Sequence, residues 1–141
     1  MDEPSAPRMD RDDDGDDDRE SAYELLQRGT ALLKGRHFAQ AATVLERADR
    51  QEPRKASILE ALGRAYYNSG QHAEARRVFE SLLDLDPSAH YAHFALGQSL
   101  KQLGDRDAAR THLRLAVALS PTSKIYSGAL ARLGPPPRRA D

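Results

Sequence analysis

Three residue types return along this chain every 34 positions. Glycine recurs at Gly29, Gly63 and Gly97, alanine at Ala41, Ala75 and Ala109, and proline at Pro53, Pro87 and Pro121. A fixed period of that length means copies of one small unit stacked side by side, because no single unit can bury its apolar face alone. The pattern inside each unit is helical. In the middle one Leu59, Leu62, Ala65 and Tyr66 share a stripe, Asn68-Ser69-Gly70 interrupts it, and Ala75, Val78, Phe79, Leu82 and Leu83 form a second stripe. Asp86-Pro87-Ser88 ends that second helix, since proline cannot continue the hydrogen-bond ladder, and Ser88 is expected to cap the next N-terminus.

The flanking units follow the same plan. The third carries Leu96, Leu100 and Leu103, a turn at Gly104-Asp105, then Ala109, Leu113 and Ala116. The first carries Leu25, Leu32 and Leu33, a turn near Gly35-Arg36, then Ala41, Leu45 and Ala48. Gly63 is expected to face Ala75 across its hairpin, as Gly29 faces Ala41 and Gly97 faces Ala109. A leucine at Gly63 would then overpack the crossing by roughly 1–3 kcal/mol. After Pro121, Thr122-Ser123 can cap a seventh helix whose apolar residues are Ile125, Tyr126, Ala129, Leu130 and Leu133, and Gly134-Pro135-Pro136-Pro137 stops it. The expected fold class is all-α: a solenoid of three helix-turn-helix repeats, at about 22–55, 56–89 and 90–123, with a capping helix at 124–133.

Charge divides the chain. Residues 1–20 hold ten carboxylates against Arg8, Arg11 and Arg19, a balance of −7, while the remainder holds 12 acidic and 18 basic residues, a balance of +6. A like-charged block without apolar residues cannot bury enough surface to offset chain entropy, so residues 1–20 are expected to be a disordered acidic tail. Residues 134–141 are expected to form a second disordered tail, rich in proline and arginine. A flexible segment of 20 residues spans roughly 25 Å. The acidic tail could therefore rest on the basic repeats and compete with an acidic ligand. Asp10-x-Asp12-x-Asp14-Gly15 begins like a calcium loop, but the glutamate such a loop needs falls at Ser21, with Glu20 one residue early, so the likeness is accidental.

Set in register, the middle unit reads Leu59-x2-Leu62-Gly63-x2-Tyr66, then Ala75-x3-Phe79, then Pro87. The third reads His93-x2-Leu96-Gly97-x2-Leu100, Ala109-x3-Leu113 and Pro121, and the first reads Leu25-x2-Arg28-Gly29-x2-Leu32, Ala41-x3-Leu45 and Pro53. The chain resembles the tetratricopeptide repeat family, whose pattern is Trp-x2-Leu-Gly-x2-Tyr, Ala-x3-Phe, Pro. It departs at every tryptophan, at the tyrosine (Leu32, Leu100) and phenylalanine (Leu45, Leu113) of the first and third units, and at Arg28, where leucine is usual; a terminal repeat has one solvent-facing side that tolerates arginine. The resemblance implies a concave groove lined by the first helix of each pair. The groove positions are then Tyr23, Leu26, Thr30 and Lys34; Glu60, Arg64, Tyr67 and Asn68; and Tyr91, Phe94, Gln98 and Lys101. Tyr67, Tyr91 and Phe94 lie off the core stripe, and aromatic residues beside arginine dominate interface energetics. Some members of the family grip a peptide's C-terminal carboxylates at positions that correspond to Leu26, Thr30, Ala61, Tyr91 and Ala95. None of these carries a cation or an amide, which argues against a chaperone-tail adaptor.

Other chemistries find no support in the sequence. It contains no cysteine, no His-Glu-x-x-His, no phosphate loop and no nucleophile elbow, so no enzyme, cofactor or metal site is expected. His90 and His93 share a helix face without a third ligand, and His93 holds a packing position. Arg47, Arg50, Arg54, Lys55, Arg76, Arg77, Arg106, Arg110 and Arg114 mostly alternate with carboxylates, the pattern of a solvated helix face rather than a nucleic-acid surface. No apolar run approaches the ~20 residues of a membrane span. The expectation is a cytoplasmic adaptor without cofactor, binding a protein or peptide of unknown identity, with self-association as the second reading. Seventeen arginines against four lysines suggest a GC-rich bacterial source.

Overall fold

The computed structural model describes residues 20–138. Seven helices follow in order: α1 (Ala22–Lys34), α2 (Phe38–Gln51), α3 (Ala56–Asn68), α4 (His72–Leu85), α5 (His90–Gln102), α6 (Arg106–Leu119) and α7 (Lys124–Leu133). First helices start at 22, 56, 90 and 124 and second helices at 38, 72 and 106, so the period of the sequence is carried into the backbone. Packing is heaviest within the pairs α1–α2, α3–α4 and α5–α6, and each helix also packs on the next. Contacts of α1 with α3 and of α3 with α5 bring the first helices together along one side of the array. The expected calcium-like stretch, and the acidic tail as far as residue 19, lie outside the described residues, as do residues 139–141 of the second tail.

Local chemistry sets the helix ends. Ser21 and Glu24 form a reciprocal capping box on α1, with both bonds at 3.0 Å. Asp105 accepts from the Ala108 amide at 3.2 Å, and Ser123 from the Tyr126 amide at 3.2 Å. Ser88 does not cap α5: the N-cap is Ala89, without a side-chain bond. The Asp86 carboxylate instead accepts from the Ser88 amide at 3.1 Å and its hydroxyl at 2.9 Å, so Ser88 is used in an Asx turn. The turn inside each repeat needs one left-handed residue. Gly70 (φ 84°) and Gly104 (φ 90°) supply it in repeats two and three, and Arg36 (φ 64°) holds the same register position in repeat one.

The pairing expected between glycine and alanine holds at Gly97, where a Cβ would lie 3.2 Å from the Ala109 carbonyl, but at all three glycines the nearest group is a different side chain. A Cβ on Gly63 would lie 2.5 Å from the Phe79 ring, and one on Gly29 2.5 Å from the Leu45 side chain. On Gly97 it would meet Leu113 at 2.8 Å. The side chain one turn beyond the alanine lies over each glycine, and Ala41, Ala75 and Ala109 are themselves fully buried in the hairpins.

Polar devices close both ends of the array. Glu20 pairs with Arg28 at 2.6 Å and Arg47 at 3.2 Å, and its carbonyl accepts from Gln51 at 2.7 Å. The hydrogen bond from Arg28 holds the Glu20 carboxyl below the usual range. At the other end, Arg106 donates to the Leu133 carbonyl, and Arg110, 5% exposed, reaches the Gly134 and Pro135 carbonyls at 3.4 Å. These guanidiniums satisfy carbonyls that the end of α7 leaves without helical partners. Between α5 and α6, His93 Nε2 donates to the Pro87 carbonyl at 2.8 Å, and its Nδ1 lies 3.1 Å from His112 Nδ1. One of the two Nδ1 atoms donates in that contact and the other accepts. Burial, with His93 beside it, holds His112 below the usual imidazole range.

Two stability predictions follow from this packing. Gly63→Ala should cost about 1–3 kcal/mol by forcing the Phe79 ring aside. Gly70→Ala, whose Cβ meets nothing within 4 Å, should cost only the left-handed backbone penalty of about 1 kcal/mol. Denaturant titration of both variants checks the order. For His112 the unfolded chain binds more protons below the free imidazole pKa, so the contribution present above about pH 6.5 is lost as pH falls. The unfolding midpoint should drop as pH falls below about 6.5, and His112→Asn should flatten that slope.

Candidate functional site

The groove along α1, α3 and α5 contains two cavities. The first, about 240 Å³, lies between α1 and α3, and Leu26, Thr30, Glu60 and Arg64 line it together with Leu33, Ser57 and Ala61. The second, about 100 Å³, lies between α3 and α5 and is lined by Arg64, Tyr67, Asn68, Tyr91, Phe94 and Gln98 over a floor of Phe79 and Ala95. Arg64 lines both. Nine of the twelve groove positions expected from register are thereby brought together.

The other three stand apart from the cavities. Tyr23 is 67% exposed in the first turn of α1, where its hydroxyl accepts from Gln27 at 2.9 Å. Lys34 and Lys101 occupy the last turns of α1 and α5, where a cation complements the negative end of the helix dipole.

The aromatic residues are only partly free, because Tyr91 and Phe94 pack against a neighbouring unit and Tyr67 against its own hairpin. Tyr91 meets Phe79 edge-on at 6.2 Å, and Phe94 stacks on Tyr126 at 5.0 Å. Tyr67 meets His72 edge-on at 4.9 Å. Each spends one face on the fold and leaves the remainder to the groove. Burial pushes the Tyr91 phenol up to about 12, so its hydroxyl keeps its proton and remains a donor. Glu60 and Arg64 stand one turn apart on α3, both exposed, and neither forms an ion pair with a described residue. Gln98 Oε1 is buried and accepts no hydrogen bond from any described residue.

Phe79 and Tyr126 were not among the expected groove residues. Phe79 belongs to the core motif of a second helix, and nothing local shows its ring reaching the groove floor. Tyr126 is 8% exposed, and His90 Nδ1 lies 2.8 Å from its hydroxyl. The 34-residue register, carried past 123, sets Tyr126 level with the buried Ile58 and Ala92, and that signal could have found it. A third cavity, about 290 Å³, lies between α2 and α4 and is rimmed by Glu46, Asp49, Arg50, Arg54 and Arg77. There Tyr66 donates a short hydrogen bond to Glu46, and burial raises the Tyr66 pKa. Among the described residues no cluster of three metal-ligating side chains forms, and no helix is long and apolar enough to cross a membrane.

A family model described as tetratricopeptide repeat matches residues 26–76 and 60–124. Among solved structures the chain is similar to the tetratricopeptide domain of Arabidopsis OM64, with TM-score 0.77 and 19% identity over 80% of this chain and 93% of that one. It is also similar to the first such domain of Spaghetti (RPAP3), solved with the HSP90 peptide SRMEEVD, with TM-score 0.76 and 17% identity over 80% and 90%. The Sgt2 domain from Aspergillus fumigatus gives TM-score 0.73 and 20% identity over 85% and 88%. At these identities the likeness is one of fold.

Because Tyr126 ties α7 to α5, Tyr126→Ala should cost about 3 kcal/mol. Amide exchange in α7 should then accelerate ahead of that in α1–α4, as hydrogen-exchange mass spectrometry can read.

Proposed function

The chain belongs to the tetratricopeptide repeat family, and from that premise we propose that it is a non-catalytic adaptor gripping a segment of another protein in the α1–α3–α5 groove. One observation carries the reading: Tyr67, Tyr91 and Phe94 surround a cavity whose rim holds Arg64, an arginine without an ionic partner among the described residues. Half-buried aromatic rings beside a guanidinium provide a large contact area, little side-chain entropy to lose and a charge for orientation.

The HSP90 peptide of the Spaghetti domain is not part of this proposal. Positions that grip carboxylates in some relatives are here Leu26, Thr30, Ala61, Tyr91 and Ala95, which line the two cavities without a cation or an amide. The proposal includes a cytoplasmic setting and a bacterial source, consistent with the absence of cysteine and the excess of arginine over lysine. A second reading, self-association, is favoured by the exposed Leu115, Leu119 and Ile125 on α6 and α7.

Co-purification with wild-type bait and with Arg64→Ala/Tyr67→Ala, both verified as folded, tests the adaptor. A partner held by the wild type should be lost, or weakened at least about tenfold, with the variant. Retention by both baits would move binding out of the groove. Mass measured across concentration decides the second reading.

A further inference from the structure

The cavity between α2 and α4 lies on the second-helix side of the array, and the adaptor reading makes no use of it. Its floor is apolar, built from Leu59, Leu62 and Val78, and Arg50, Arg54 and Arg77 stand on its rim with Glu46 and Asp49. Glu46 is already engaged, since it accepts the Tyr66 hydroxyl, and Arg77 pairs with Glu74. Arg54 is exposed and pairs with no described carboxylate.

The backbone at Arg54 is also unlike that of its counterparts. Its φ is 62°, whereas Ser88 and Thr122, one and two periods further on, stay out of the left-handed region. Glycine and asparagine are the residues that suit that region. An arginine there strains the turn and sets a guanidinium on the rim.

The amino-terminal segment joins the fold beside this cavity. Gln51 donates to the Glu20 carbonyl at 2.7 Å and Arg47 to its carboxylate at 3.2 Å, so residue 20 is fixed to α2. On α2 the Arg47–Gln51 stripe neighbours the Glu46–Arg50 stripe, about 100° around the helix. Residues 10–18 hold seven aspartates against Arg11. The six residues from Asp14 to Glu20 reach up to about 20 Å, and a helix is about 10–12 Å across. Opposite charge attracts the segment to the rim, and the tether supplies an effective concentration on the order of millimolar.

We propose that residues 10–18 of the same chain cross α2 and dock on the arginine rim of this cavity, with aspartates pairing to Arg54 and Arg50. The docked segment covers the basic surface of repeats one and two and leaves the groove open. Other acidic chains are excluded from that surface until they displace it.

Because the chain has no cysteine, Gly15→Cys on the full chain takes a single nitroxide label. With the same molecules enriched in nitrogen-15, the amide signals of residues 49–54 and 77–81 should broaden at low salt. They should recover at about 0.5 M salt, where charges are screened within a few ångströms, and residues 64–68 and 91–98 should stay sharp throughout. Arg50→Gln/Arg54→Gly should abolish the broadening without unfolding the chain, because glycine suits the left-handed turn. A fluorescent aspartate decamer should bind about tenfold more tightly once the seven aspartates of residues 10–18 are changed to asparagine. Broadening of the groove signals, or of none, would overturn the inference. So would broadening in a mixture of labelled and separately enriched molecules, which marks contact between copies. The adaptor reading stands or falls apart from all of these, on the Arg64→Ala/Tyr67→Ala bait.

Discussion

The close approach of two helices at Gly29, Gly63 and Gly97 underlies everything else in this structure. Without a Cβ at those positions, Leu45, Phe79 and Leu113 lie directly on the backbone of the facing helix, and each hairpin becomes a rigid plate. Plates of one shape stack at one period and bring the first helices α1, α3 and α5 together in a groove. In repeat two the same atoms serve both purposes. The Phe79 ring fills the space over Gly63, meets Tyr91 edge-on and forms the floor of the inner cavity. Hairpin packing and groove chemistry therefore cannot vary independently there.

An array of like plates leaves two unlike ends, and the chain adds polar contacts at both, at the last end beside the buried apolar face of α7. At the first end Arg28 replaces the leucine of the inner repeats and pairs with Glu20, which Arg47 also holds. At the last end α7 takes the place of a fourth first helix. Arg106 and Arg110 of α6 reach over its C-terminus and bind the carbonyls that a following helix would have screened. The exposed Glu20–Arg28 pair contributes little stability and keeps its end wettable, whereas the Arg106 and buried Arg110 bonds to backbone carbonyls seat the last helix.

The groove shows how a shared backbone carries different side chains. Structures with TM-scores of 0.73 to 0.77 to this chain share less than 25% of its residues. Leu26, Thr30, Ala61, Tyr91 and Ala95 line the two cavities with apolar or hydroxyl groups, and Arg64 lines both. Ligand chemistry is decided by a handful of side chains on a scaffold that does not register the change.

The sequence by itself determined the number of helices among the described residues, their order and the starts set by the 34-residue period. The reason is that glycine, alanine and proline act through local sterics and helix termination. It also placed nine residues in the groove, because register alone assigns a helix face. Only the tertiary structure decided what each side chain spends its surface on. Phe79 reaches the groove from a second helix, Ser88 turns to Asp86 instead of capping α5, and His93 finds His112 across the hairpin. Tyr91 and Phe94 are half claimed by Phe79 and Tyr126. Periodicity reports which face a residue occupies; rotamers and the neighbouring helix determine what it touches, and those distances carry no period.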